Sequence, residues 1–513
     1  MVSTFHGLEV AKRGLFTQQA ALYTTGHNIS NANTPGYTRQ RVNFEQTGPF
    51  PAASRNRPEI PGQMGSGVQA GSIERVRVGF LDDQFRGENS KTGYYEARSD
   101  AFGRLESLMN EPSDSGLAKT MDRFWQSLQD LSVNPQNSGA RDVVVQRGQA
   151  VAGTFNYLSN TLHRMQNDIK TEVGVTTKEI NSLSNQINNL NKQIAEVEPH
   201  GYVPNDLYDE RDRLVDQLSG IVTIDVSYED TPSSADPLAM GKATISLVGN
   251  NGQALDPPAT LVDGTTNSVN EVTVNYPDDE MPLAESISVG DTSYDVEDFS
   301  QGKLRGLVES GGYMAGDDAR GTYADMVYDL DKMATAYATA INTVQKGGES
   351  LNSMEEGSEP PNFFFVDDTL TTDEAGVVRG LAGSLDVTDA VKEDADHIAA
   401  ANSELAGSGG NALDLANVLD EPAAILGEET SVSTFYESII GTMAVEAQEA
   451  YRMESNSATL KASVNQQRQS VSAVSLDEEM TNMIKFQHAY NAAARNITVI
   501  DEMLDRIINQ MGR

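Results

Sequence analysis

Six histidines, His6, His27, His163, His200, His397 and His488, are the residues best suited to proton transfer or metal ligation near neutral pH, and they are scattered through different elements of the chain. None belongs to an HExxH helix, and GxSxG, a phosphate-binding P-loop and a calcium-binding EF-hand loop are missing from the sequence. Gly65, Gly67 and Ala70 give GxGxxA, a spacing that in a dinucleotide loop brings backbone close to pyrophosphate. Strand-like sequence follows it, where phosphate binding needs the N-terminus of a helix, so a turn is expected there. Asp278, Asp279 and Glu280 offer oxygens for a hard cation but lack the alternating spacing and glycine of a calcium loop, and read as a solvated charge cluster. Trp125, the single tryptophan, stands between Phe124 and Leu128 in an amphipathic stretch and reads as core. Cysteine is absent, which removes disulfides and thiolate chemistry together. The expectation is a non-enzymatic chain with no catalytic, metal-binding or cofactor-binding residues.

The residues with the most regular spacing are apolar, and they lie at the two ends. Leu8, Leu15, Leu22 and Ile29 recur every seven positions, and Met483, Phe486, Tyr490, Ala493, Ile497, Ile500, Leu504, Ile507 and Met511 step by threes and fours. Each set marks one face of an amphipathic helix. The apolar gain along one such helix does not outweigh the backbone entropy of ordering it. Alone it should fray, so the ends are expected to be mobile in the monomer and to become ordered during polymerisation. The N-terminal helix should stop near Ser30, because NANTPGY follows: Asn31, Asn33, Pro35 and Gly36 form turns, and Pro35 disfavours helical geometry at Thr34.

Between the ends, residues 1–90 should comprise the first helix and an extended segment, and 91–220 a long helical rod. From Leu158 to Val197 the rod carries a stripe with the period of a coiled coil. Residues 221–320 read as a β-rich domain, 321–361 as a helix returning to the rod plus a linker, 362–430 as a second small mixed domain, and 431–513 as helices again. The expected fold is therefore mainly α with inserted β-rich domains. Its N- and C-terminal helices form a coiled-coil core, joined to a long central helical bundle and one or two small β or α+β outer domains.

Charge sharpens this picture. The net charge is −38 over 513 residues; residues 221–435 hold 40 Asp/Glu against 8 Lys/Arg, whereas residues 1–80 hold 4 against 8. Nucleic acid and anionic membrane both require clustered cations, so neither is expected as a partner. Polar residues interrupt every apolar run of MVSTFHGLEVAKRGLFTQQ, which has neither the core of a secretory signal nor the length of a membrane span.

The segment NISNANTPGYTRQRV, Asn28 to Val42, resembles the N-terminal signature of flagellar rod, hook and hook-associated proteins, with Asn28, Asn31, Asn33, Pro35, Gly36 and Tyr37 as its structural turn residues. SLDEEMTNMIKFQHAYNAAARNITVIDEMLDRII is similar to the C-terminus common to these axial proteins. GSGVQAGSIERVR, RFWQSLQDLSVNPQNSGARDVVV and NDLYDERDRLVDQLS resemble the hook-associated protein 1 family in particular. The acidic stretch GESLNSMEEGSEPPNFFF departs from the family pattern. The resemblance implies export by the flagellar type III apparatus without a cleaved signal peptide, and an extracellular place in the flagellum at the hook–filament junction. Implied partners are further copies of the chain in a ring or helix, hook protein, hook-associated protein 3, and an export chaperone on the C-terminal helix. Two rival readings are a hook or distal-rod axial protein, which shares the terminal signatures, and a secreted protein whose β-rich middle is active.

Overall fold

The computed structural model describes residues 4–50, 62–109, 116–229, 234–277, 282–316, 318–427 and 429–506. Helix α1, Thr4–Ser30, runs into the Asn-rich turn, and a hairpin of β1, Gln40–Gln46, and β2, Val68–Arg75, follows. The extended segment is shorter than expected, because α2, Gly79–Met109, already begins at Gly79. Arg77 pairs with Asp82 in the first turn of α2, where a carboxylate also complements the helix dipole.

The body is built on α4, Ser138–Val197, a helix of 60 residues and thus about 90 Å long at 1.5 Å per residue. It starts where the Asn137 side chain accepts from the Ala140 N–H at 3.2 Å and stops before Pro199 and the left-handed Gly201. Helices α3, Leu117–Val133, and α5, Asn205–Ile221, pack along it. The apolar stripe of α4 is buried as the periodicity demands, with Leu162, Ile180, Ile187 and Ile194 all at 0 % exposure. Its partners correct the coiled-coil reading, for the stripe lies under α5 and the inserted elements instead of against one long companion helix.

Those inserted elements begin with a four-stranded antiparallel sheet of β3, Ile224–Tyr228, β4, Ala243–Leu247, β5, Thr260–Asp263, and β6, Ser268–Val269. A three-stranded one follows, of β7, Val272–Asn275, β8, Ser286–Val289, and β9, Thr292–Tyr294. Then come α6, Lys303–Gly311, the hairpin β10, Tyr313–Ala315, with β11, Asp318–Arg320, and the return helix α7, Thr322–Gly347. The stretch expected as a linker contains α8, Leu351–Glu356, started by reciprocal capping between Ser350 and Ser353. The second small unit holds β12, Phe364–Phe365, α9, Leu381–Ser384, β13, Asp386–Val387, α10, Asp389–Glu393, and α11, Gly410–Asn417. The chain closes with α12, Val432–Ser472, packed along α2, and α13, Leu476–Asp505, packed along α1.

Side-chain amides stitch extended backbone to the helices. On α4, Asn181 donates to the Val272 carbonyl at 2.9 Å and accepts from its N–H at 2.8 Å. Asn191 does the same to Ala243, at 2.8 and 3.0 Å. On α7, Asn342 serves both groups of Phe364. An amide carries one donor and one acceptor side, so it replaces the missing neighbour strand and satisfies both backbone groups of a buried residue. Held this way, the inserted units share one contiguous apolar core with the helices. At its centre Phe124, Phe155, Tyr337, Phe363 and Phe364 cluster with ring centroids 4.9–6.5 Å apart. Trp125 is half-buried against that core. Gly65 and Gly67 lead into β2 without forming the expected turn: the stretch runs alongside residues 47–50, with the Thr47 N–H donating to the Gly67 carbonyl at 3.1 Å, and Gly67 has a positive φ of 114°.

Candidate assembly site

The terminal helices lie antiparallel. The Cδ1 of Ile500 stands 3.4 Å from where a Cβ on Gly7 would sit, and seven residues on, Gly14 faces Ala493. Phe486 reaches past α1 to the hairpin, its ring edge-on to Phe44 at 5.8 Å. Leu8, Leu15, Leu22, Ile29, Met483, Phe486, Tyr490, Ile497, Ile500 and Leu504 are all half-buried, while Ile507 and Met511 lie outside the described residues. The deeply covered positions of α1 are ones the heptad does not mark: Ala11, Thr17, Ala21, Thr24, Thr25 and Asn28. Thr17, for example, donates to the β2 carbonyl of Val68 at 3.1 Å. The pair also turns apolar side chains outward, with Phe16 at 56 %, Tyr23 at 72 %, Met480 at 57 % and Ile484 at 53 % exposure. Pairing thus leaves a wide apolar surface uncovered, the kind that marks protein–protein contact.

The Asn-rich turn divides into two halves. Asn28 is buried: its amide donates to the Gln40 carbonyl at 2.8 Å, and its oxygen accepts from the Gln40 N–H at 3.0 Å and the Tyr37 hydroxyl at 2.8 Å. Tyr37 also meets His27 at 2.9 Å, and Asn31 caps α1 through the His27 carbonyl at 3.1 Å. Asn33, Pro35 and Gly36 are exposed instead, along an open groove of about 740 Å³ between the turn, α5 and α12. Gly36 is left-handed at φ 84°, and a Cβ there would sit 3.3 Å from Arg213, so both its backbone and its closeness to α5 favour glycine.

Beneath the turn lies a lattice of arginines and aspartates that sequence reading missed. Asp209, Asp212 and Asp216 share one face of α5, at the i, i+3 and i+7 positions of a helix. Arg75 at the end of β2 donates to Asp209 at 2.9 Å and to Asp212 at 2.8 Å. Arg77 reaches Asp212 at 2.9 Å and Asp82 at 2.6 Å, and Arg86 on α2 reaches Asp216 at 3.2 Å. From α12, Arg468 joins Asp216 and Asp82 and stacks 4.0 Å over Phe85. Asp209 also accepts the Thr38 N–H at 2.9 Å, which ties the turn to the lattice. Burial raises the Asp212 carboxyl, but Arg77, Arg75, Arg211 and Arg86 more than reverse this and hold it at about 2. At Asp209 burial wins over Arg75 and the pKa is raised.

A second, outer layer connects this lattice to α13. Arg39 donates to Glu478 at 2.7 Å and Glu479 at 2.8 Å, and its N–H donates to the Ser472 carbonyl at 2.9 Å. Glu479 is the one buried residue of α13 among those described. The alternating acids and bases of NDLYDERDRLVDQLS were the available signal, because three carboxylates at helical spacing make one acidic face. No group of three or more His, Asp or Glu among the described residues is placed to hold a metal ion, and no described helix is long and apolar enough to cross a membrane.

Paired terminal helices with uncovered faces, mounted by ion pairs on an elongated helical body, define an axial structural subunit. Residues 8–38 match the family model described as flagella basal body rod protein, and residues 465–511 match that of the flagellar basal body rod FlgEFG protein C-terminal region. Residues 102–364 match the flagellar hook-associated protein FlgK helical domain. The chain is 47 % identical over 515 residues to flagellar hook-associated protein 1 of Bacillus subtilis, covering 100 % of this chain and 99 % of that one. Its counterpart in Escherichia coli is 23 % identical, with 97 % and 98 % covered. The chain belongs to the flagellar hook-associated protein 1 family. The fold is that of the solved flagellar hook junction protein FlgK from Burkholderia pseudomallei, with a TM-score of 0.60 at 14 % identity over 77 % of this chain and 100 % of that one.

Proposed function

We propose that this chain is a structural, non-enzymatic subunit of the flagellum that assembles on the distal end of the hook and adapts it to the filament. The observation that carries this reading is full-length identity of 47 % to a hook-associated protein 1, in a chain whose terminal helix pair keeps apolar side chains facing outward. The terminal helices continue the inner tube, with Leu8, Leu15, Leu22, Ile29, Met483, Phe486, Tyr490, Ile497, Ile500, Leu504 and Ile507 as assembly residues. Asn28, Asn31, Asn33, Pro35, Gly36 and Tyr37 set the angle at which the chain leaves that tube. Hook protein lies below, hook-associated protein 3 above, and further copies to the side in a ring or helix. Before assembly the chain leaves through the type III apparatus without a cleaved signal, its C-terminal helix held by a dedicated chaperone. Repeating heterologous contacts of this kind generate rings or helices, and a subunit with unlike lower and upper faces can join a flexible hook to a stiff filament. Deleting the gene tests the reading: hooks without filaments, with flagellin lost to the medium, is the expected phenotype, and normal filaments would overturn it.

A further inference from the structure

We propose that the open groove beside the Asn-rich turn receives the acidic segment Glu355–Glu359 of a second copy of the chain, and that this contact sets the stagger between neighbouring copies. The groove lies between the turn, α5 and α12. The lattice beneath it carries five arginines, Arg75, Arg77, Arg86, Arg211 and Arg468, to the four aspartates Asp82, Asp209, Asp212 and Asp216. On its walls Arg213 meets only Glu210, Glu179 is an acid, and Lys461 has no ion pair among the described residues. The groove therefore holds a surplus of positive charge in a chain whose net charge is −38. Asn33, Gln217 and Gln469 also face it, exposed and without side-chain hydrogen bonds among the described residues.

The occupant follows from charge and reach. Glu355, Glu356, Gly357, Ser358 and Glu359 are exposed in an unbroken row between the buried Ser353 and Pro360, and none of the three carboxylates has a partner among the described residues. The segment is anchored far from its own groove. Phe363 packs against α4 at Gly148, whereas the groove meets α4 at Glu179, about 45 Å along the helix at 1.5 Å per residue. Held at both ends, so short a segment projects at most about 12 Å, so the groove it fills belongs to another copy. Exposed ion pairs are each worth only about 0–1 kcal/mol, too little to drive association. Charge complementarity instead fixes register, while the outward apolar side chains of the terminal helices supply the affinity. Groove and segment are unlike surfaces, so the contact is heterologous and repeats from copy to copy. With long helices parallel, it offsets neighbours by about 45 Å. The inference rests on the reading that copies of this chain assemble side by side.

The absence of cysteine allows a direct test on the full chain. Ser358→Cys in the segment and Gln469→Cys on the groove wall are both exposed sites and leave every charge in place. The two variants are expressed together in cells that lack the native copy, isolated hook–filament structures are treated with a short bismaleimide, and the chain is resolved on a denaturing gel. The expected result is a cross-linked dimer when both variants are present and monomer alone when either is expressed singly. Adding Glu355→Lys, Glu356→Lys and Glu359→Lys to the Ser358→Cys chain should abolish the dimer band. Structures that contain both variants in the parent's amount yet give no dimer would overturn the proposal and leave the assembly reading intact. A dimer band unchanged by the three lysines would overturn it as well. Failure of the assembly reading shows differently, as hook–filament structures from which the unaltered chain is missing.

Discussion

Asp212→Asn removes the charge at the centre of the inner lattice while keeping the size and shape of the side chain. Asp212 is 4 % exposed and accepts from Arg75 at 2.8 Å and Arg77 at 2.9 Å, with Arg86 at 3.8 Å. Five arginines, Arg75, Arg77, Arg86, Arg211 and Arg468, face Asp82, Asp209, Asp212 and Asp216, so the substitution removes one of the few buried charges that offset them. Breaking a buried pair costs about 3–5 kcal/mol, a large share of a typical stability of about 5–15 kcal/mol. The assay is urea unfolding followed by far-ultraviolet circular dichroism, with Asp83→Asn as control. Asp83 is 76 % exposed at 3.7 Å from Arg86 and should cost less than about 0.5 kcal/mol. The sign with pH follows from the folded carboxyl being held at about 2, below its ordinary value of about 3.9. Its stabilisation is complete above the ordinary value and is lost as pH falls through the folded one. The gap between parent and Asp212→Asn should therefore be constant near neutrality and narrow progressively in acid below pH ~4. A loss no larger than that of Asp83→Asn at neutral pH would refute this account of the lattice.

Two further substitutions probe the body. Gly93→Ala would place a Cβ 2.1 Å from the Gly220 carbonyl oxygen, a backbone atom of α5 that cannot rotate away; the expected loss is at least about 1–3 kcal/mol, read by thermal unfolding. Asp329 on α7 is pushed up to about 6, first by burial, against Lys332 and with Asp325 adding repulsion. Its charged form therefore opposes folding, so Asp329→Asn should stabilise the chain at pH 7 by about 1–2 kcal/mol after discounting for solvent screening. That advantage should vanish below pH ~4, where the carboxyl is neutral in both folded and unfolded chains, which thermal melts across pH will check.

The terminal helices were legible because periodicity alone specifies an amphipathic face, and the break after Ser30 was legible because Pro35 and Gly36 restrict backbone. The identity of what covers each face was not. The Leu158–Val197 stripe has the same period whether it meets a long helix or a layer of short strands, and only the long-range chain path chose the strands. Asn181, Asn191 and Asn342 carry no local sequence signal, yet each supplies a missing strand's hydrogen bonds. The partners of Asp209, Asp212 and Asp216 were not legible either, since their counter-charges come from residues 75, 77, 86 and 468, far away in the chain. On α1, Leu8 and Leu22 are only half-covered while Ala21 and Thr17 are buried, and Thr17 bonds the Val68 carbonyl of β2, a strand far away in the chain.

The central claim is that the outermost helices gain their full cover only from neighbours in a growing tube. Its most direct test is the full chain carrying Ile497→Asp, Ile500→Asp and Leu504→Asp, expressed in cells that lack the native copy. Secretion of this variant into the medium from cells that keep their hooks and grow no filaments is the predicted outcome. Swimming cells with filaments of normal length would contradict it.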